Sequence, residues 1–301
     1  MAFMQPDLSP VLVQIGPVAV RYYGLAYVVG IVAGIWLIRA VLPRSPLVID
    51  APAIDDVAVF AVVGVVVGGR LGQVLVYEPA YDLAHPAEIV QTWTGGMSFH
   101  GGLVPVVLAG LVFCRVRRLD PLAFGDLLVL VAPVGIGLGR LANVINGELW
   151  GRVTAVPWAV IFQRAGPEPR HPSQLYEALG EGALLFGLLW LLAVRAGSLR
   201  RPQRTCVGRP TLRPLGFLLC RRFLAPNRYP LRRNLLSEIV GVFLVGYAAA
   251  RSACELVREP DGIVAVAGVT LTAGQYLSLP MAVVGLVPIV RPRLAARTAS
   301  S

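Results

Sequence analysis

The stretch GIGLGRLANVINGELWGR, Gly135 to Arg152, decides how the chain is read. It begins as an apolar, glycine-rich helix of the kind found in lipid. It then gathers Arg140, Asn143, Asn146, Glu148 and Arg152 into a short space. An arginine at the bilayer centre costs about 2.5–3.5 kcal/mol on insertion scales, so it is rarely found there without a partner. Arg140 and Asn143 are three residues apart and share a helix face. A forked, permanently charged donor beside a neutral amide suits a phosphate. The competing reading is that Arg140 snorkels to the interface while the asparagines cap the helix.

Working outward, the 301-residue chain is 56% hydrophobic and only 15% charged, with positive mean hydropathy. That composition is far from a soluble domain. Apolar runs long enough to cross a bilayer recur along it. They fall at about Val18–Leu42, Ala53–Tyr77, Phe99–Arg118, Pro121–Arg140, Pro172–Arg195, Leu236–Cys254 and Leu271–Val290. The expectation is an all-α polytopic membrane protein with about seven transmembrane helices. The polar, proline-broken segment Leu141–His171 is expected to form a small extracytoplasmic cap. The whole chain, 1–301, reads as one integral membrane domain with a basic cytoplasmic loop at 197–236.

The net charge is +10, and every basic residue is an arginine. The excess lies in loops and in the tail, so it signals topology and membrane-surface contact and excludes a nucleic-acid role. Arginines crowd 39–44, 115–118, 195–233 and 291–297, whereas Glu78–Ser98 has none. The positive-inside rule then puts the N-terminus outside and the C-terminus in the cytoplasm. Arg140, Arg152, Arg170, Arg251 and Arg258 fall on the outer side, against this bias, and binding an anion would explain them. The four cysteines form no metal-ligand spacing, so no metal is expected. The N-terminus lacks a charged region before its first apolar run, and no cleaved signal peptide is expected.

Three further strings carry chemistry. GGMSFHGGL, Gly95–Leu103, frames His100 with glycines that let backbone or a substrate approach closely. Histidine titrates near neutrality and is the usual general base, although a lone membrane histidine also serves as a hydrogen-bonded structural residue. RHPSQLYE, Arg170–Glu177, packs His171, Gln174, Tyr176 and Glu177 at a helix entrance, either as caps and interface anchors or as a polar wall of the same site. RSACELVREPD, Arg251–Asp261, puts Arg251, Glu255 and Arg258 on one face. On a surface that ladder is worth only tenths of a kcal/mol; in a membrane it would hold Arg251 beside Arg140.

These four strings, in this order among the spans, resemble the bacterial prolipoprotein diacylglyceryl transferases. The similarity covers roughly 18–195 and 236–290. The resemblance implies that a diacylglyceryl group moves from phosphatidylglycerol to the lipobox cysteine thiol of a prolipoprotein, releasing glycerol phosphate. It implies a multi-pass protein of the bacterial plasma membrane and no cofactor. It matches Tyr23, His100, Arg140, Asn143, Gly151, Arg251 and Glu255 to the family's functional positions, with Arg140 on phosphatidylglycerol; Asn146 and Glu148 join them as substrate-binding candidates. The 197–236 loop departs from the short family linker, as an insertion or as sequence read out of frame, and is expected to be dispensable. Two rivals are an arginine-lined anion transporter and a non-catalytic scaffold. No internal repeat supports the first, and the second would not need the clustered His, Asn and Arg.

Overall fold

The computed structural model describes residues 2–16, 18–44, 49, 51–77, 79–91, 98–195, 238–260, 262–266 and 269–298. The basic loop expected at 197–236 lies outside the described residues. The described residues group into two compact units, one within 1–38, 125–199 and 232–301, the other within 39–124.

The first unit opens with the short strand β1 (Phe3–Met4) and the hairpin β2 (Val11–Ile15) and β3 (Val18–Arg21). The hairpin feeds directly into the helix α1 (Tyr22–Val41). The first span therefore starts four residues later than the hydropathy suggested: Val18–Arg21 alternates in a strand pair before the uniformly apolar run begins.

In the second unit α2 (Ala51–Gly72) continues as a π-helical turn, Gln73–Tyr77. Then come α3 (Pro79–Ala84) and α4 (Phe99–Arg117). Ser98 caps α4: its Oγ accepts from the Gly101 N–H at 3.1 Å. That satisfies one of the free donors of the first turn. Arg70 folds the arginine-free segment that follows onto the end of α2. Its Nε donates to the Ile89 carbonyl (2.8 Å) and its Nη2 to that of Glu88 (2.6 Å), with buried Asp82 at 3.6 Å.

The chain returns to the first unit through α5 (Pro121–Val129), which meets α6 (Ala132–Asn146) at a 40° bend. Short strands β4 (Val160–Ile161) and β5 (Pro169–Arg170) follow, with β1 parallel to β4 and β5 antiparallel to it. Next, α7 (Ser173–Glu177), a π-helical stretch (Ala178–Leu184) and α8 (Leu185–Arg195) form one long apolar rod. Beyond the undescribed loop come α9 (Glu238–Glu255), the hairpin β6 (Ile263–Val266) and β7 (Val269–Thr272), and α10 (Ala273–Thr298). The buried Asp126 side chain accepts the Val240 N–H at 2.8 Å, so α5 caps the first turn of α9.

The protein is thus predominantly helical and polytopic. Among the described residues four segments are long and apolar enough to cross a bilayer: Tyr22–Val41, Pro52–Leu75, Ser173–Arg195 and Ala273–Val290; a fifth is added if α5 and α6 form one bent span. Their outward side chains are large and apolar: Trp36 and Phe60 are 68% and 62% exposed. Such exposure suits lipid and not water. The two other expected spans fall on α4 and α9. Within α9, Glu238, Arg251 and Glu255 interrupt the apolar run.

Candidate functional site

Two carboxylates lie one helical turn apart inside an otherwise apolar span. Glu177 ends α7 and Glu181 sits in the π-helical stretch that follows; both are fully buried. π-turns inside helices often mark functional positions. Here the wider turn also crosses α6 closely. A methyl on Gly182 would stand 2.9 Å from the Gly137 Cα, so a glycine at 182 lets these helices meet at that distance. Arg140 lies three residues beyond Gly137, and the crossing lays it over both carboxylates.

Arg140 bridges the pair. Its Nη1 is 3.1 Å from Glu177 Oε2, while its Nε (3.3 Å) and Nη2 (3.1 Å) donate to Glu181 Oε2. Arg251, on α9, reaches the same two residues. Its Nη1 donates to Glu177 Oε1 and lies 3.9 Å from Glu181 Oε1. Its Nη2 is 2.5 Å from Glu255 Oε1, the i,i+4 neighbour. Arg258, 2% exposed, adds Nη1 on Glu177 Oε1 at 3.0 Å. The cluster therefore sets Arg140, Arg251 and Arg258 against Glu177, Glu181 and Glu255, equal in number and of opposite charge. Removing so many ions from water is tolerable only with close pairing.

Asn143 does not accompany Arg140, as the shared face suggested. Its Nδ2 donates to Glu148 Oε1 at 2.8 Å, and Asn146 Nδ2 donates to the same oxygen at 3.0 Å. Glu148 is held in turn by the entrance of α7. Gln174 Nε2 donates to its carbonyl (2.6 Å), and Ser173 Oγ donates to the next carbonyl, Leu149 (2.8 Å). From the other side Gln5 Nε2 donates to the Val144 and Ile145 carbonyls at 3.2 and 3.3 Å. The N-terminal segment thus caps the exposed carbonyl end of the helix that carries Arg140.

Gly151 occupies a position that only glycine fits. A Cβ there would lie 2.6 Å from His171 and 2.7 Å from the Val257 carbonyl. The backbone uses that closeness: Gly151 N–H donates to His171 O (2.9 Å), and Arg152 N–H donates to Val257 O (2.8 Å). This bridge fixes the turn that bears Arg258. Arg152 and Arg170, which the sequence offered as anion ligands, reinforce the bridge instead. Arg152 Nε donates to Arg258 O at 3.0 Å; Arg170 Nη1 pairs with Glu259 at 2.9 Å and with Gly151 O at 3.3 Å.

Tyr23 lies in the first turn of α1, its hydroxyl 3.2 Å from that of Tyr27 and within electrostatic range of Glu148 and Arg140. His100 belongs to the second unit, in the first turn of α4; its side chain lies outside the described residues. The structure therefore brings together Arg140, Arg251 and Glu255 directly, and Asn143, Asn146 and Glu148 beside them on α6 and its following turn. Sequence reasoning passed over Glu181 and did not recognise Glu177 as the centre. The available signal was their occurrence four residues apart in an apolar span, where unpaired carboxylates are costly. Among the described residues no group of His, Cys, Asp or Glu is arranged to hold a metal ion.

Comparison with known proteins gives a consistent picture. Residues 10–208 and 213–291 match the sequence profile of the family described as prolipoprotein diacylglyceryl transferase. Most of the 197–236 loop thus lies within matched sequence. A protein of Rhodospirillum rubrum named phosphatidylglycerol--prolipoprotein diacylglyceryl transferase is 46% identical over 96% of this chain and 94% of its own length. Proteins of the same name from Gluconacetobacter diazotrophicus and Cupriavidus metallidurans are 42% and 41% identical. They cover 93% and 95% of this chain, and 89% and 94% of their own lengths.

Proposed function

We infer that this chain, which belongs to the prolipoprotein diacylglyceryl transferase family, moves the diacylglyceryl group of phosphatidylglycerol onto a prolipoprotein. The acceptor is the thiol of the lipobox cysteine beside the signal peptide, and glycerol phosphate leaves. The observation that carries the reading is that Arg140 and Arg251, on separate helices, both pair with Glu177. Two guanidinium forks, held in place by their carboxylate partners, converge at one point inside a span, where a phosphate would share them with Glu177.

The chemistry follows from that arrangement. The cysteine thiolate attacks the glyceryl carbon bearing the phosphate ester oxygen. A carbon–sulfur bond forms, the carbon–oxygen bond breaks, and its electron pair goes to the departing phosphate. Charge growing on that phosphate is stabilised by Arg140 and Arg251, fixed in advance in a site of low dielectric. Asn143 and Asn146, oriented by Glu148, offer neutral polar contacts to the glycerol headgroup; Glu255 keeps the Arg251 fork in place; Gly151 holds the backbone that carries Arg258. Tyr23 borders the headgroup from α1. His100 takes the thiol proton or orders the groups that do. The enzyme works as one integral domain of the bacterial plasma membrane with seven spans, the Leu141–His171 segment as an extracytoplasmic cap, the N-terminus outside and the C-terminus in the cytoplasm.

Purified protein in detergent, given phosphatidylglycerol and a lipobox peptide, is expected to add one diacylglyceryl group to the peptide and release glycerol phosphate. An unmodified peptide under these conditions refutes the reading. Reporter fusions after Arg118 and within 200–230 are expected to report cytoplasm; a periplasmic signal from either overturns the topology. His100→Gln keeps the size and hydrogen bonding of the side chain but cannot titrate. It is expected to slow turnover about 10²–10⁴-fold, the usual weight of general acid–base catalysis. Full activity with an unaltered pH profile would assign His100 a structural role.

A further inference from the structure

The start of the last span lies against the ion cluster, and one glycine makes room for it. Gly274 is in the first turn of α10. A methyl built on it would stand 2.6 Å from Glu255 Cδ and 3.0 Å from Glu255 Cγ. Separations under 3.0 Å force a displacement. Two groups could move, and the structure decides between them.

The helix end is pinned. Thr272 and Gln275 form a reciprocal cap: Gln275 N–H donates to Thr272 Oγ1, and Thr272 N–H donates to Gln275 Oε1, each at 3.2 Å. This is the capping-box arrangement that closes a helix entrance. The Ala273 N–H donates to Gly262 O at 3.0 Å, and buried Ser278 donates its Oγ to Gly274 O at 2.7 Å. The paired β6–β7 hairpin leads directly into the same end. Glu255 is 2% exposed, and only its side-chain torsions are free to yield. Its Oε1 is the oxygen that lies 2.5 Å from Arg251 Nη2 and 4.0 Å from Arg258 Nε. A methyl at 274 therefore displaces the carboxylate, and the displacement is taken up by Arg251.

We propose that Gly274 is a positioning residue for the transfer reaction: the bare backbone of the last span's first turn seats Glu255 so that Arg251 stays aimed at the phosphate. The proposal rests on the reading of the cluster as the transferase site. Its signature is compensation, because aspartate is one methylene shorter than glutamate and leaves room for the added methyl.

The test compares wild type, Gly274→Ala, Glu255→Asp and the double variant, each in detergent with phosphatidylglycerol and a lipobox peptide. Gly274→Ala is expected to lower kcat at least 10-fold with a smaller change in KM for the peptide. The double variant is expected to recover at least 5-fold in kcat over Gly274→Ala. Thermal midpoints of the same four proteins provide a second readout that needs no turnover: the two substitutions should be less than additive. Wild-type kcat in Gly274→Ala, or independent effects of the two changes on both readouts, overturns the proposal. Should Gly274→Ala fail to accumulate, the double variant decides: accumulation with turnover supports the compensation, and failure of both overturns it. If wild type itself lacks transferase activity, the functional reading fails, while the midpoints still report whether Gly274 and Glu255 are coupled.

Discussion

Arg140→Ala is expected to lower diacylglyceryl transfer at least about 10²–10³-fold, the loss seen when one fixed donor to a developing negative charge is removed. Arg251→Ala is expected to do the same. The double variant should be little slower than either, because groups that act as one unit are strongly non-additive. Arg140→Lys is the discriminating substitution. The arginine fork spans two carboxylates, with Nη1 toward Glu177 and with Nε and Nη2 on Glu181. A lysine ammonium is a compact point charge and cannot reproduce that planar, two-sided geometry. It keeps the charge balance, so the protein should accumulate and melt near the wild-type temperature while turnover stays low. Near-wild-type kcat in the lysine variant would show that charge alone suffices; wild-type turnover in either alanine variant would remove the arginines from the mechanism.

The second large effect is expected at Glu177. Its carboxylate is fully buried and touches Arg140, Arg251 and Arg258. Breaking a buried ion pair from one side typically costs about 3–5 kcal/mol, since the remaining charge keeps its desolvation penalty. Glu177→Ala leaves Glu181 and Glu255 as the acidic members opposite all of the cluster's arginines. The variant should lose thermal stability in detergent and most of its activity. Added anionic phosphatidylglycerol should raise its midpoint more than it raises that of wild type, because a phosphate can replace the missing countercharge. An equal lipid effect in both proteins would mean that the lipid phosphate does not share the place Glu177 occupies.

Much of this was legible without coordinates, for reasons that are local. Residues at i and i+4 share a helix face, so the Arg251–Glu255 pair could be read directly from spacing, and Arg251 does reach Glu255 at 2.5 Å; Arg258, read as a third member of the face, lies past the helix end in the bridge to Gly151. Apolar runs of sufficient length read as spans, and four of the seven were recovered, with a fifth if α5 and α6 form one bent span. The unusual strings around Arg140, His100, Glu177 and Arg251 already pointed to the family that the comparisons give.

What spacing could not supply was the partner of each charge. Arg140 and Asn143 are neighbours on one face, yet Arg140 turns to Glu177 and Glu181 and Asn143 to Glu148. That choice depends on the close crossing of Gly137 and Gly182, a contact between distant segments with no periodic signature. Arg152 and Arg170 looked like misplaced cations until the fold supplied backbone carbonyls and Glu259 for them. The roles of Gly151 and Gly274 are equally tertiary, because a glycine is required there by what packs against it and not by its own helix or turn. By itself the sequence determined four of the apolar helices, the local faces and the chemical vocabulary of the site, since these follow from the geometry of single segments. Only the tertiary structure decided which arginine meets which carboxylate, because buried charges choose partners by desolvation and distance across the chain.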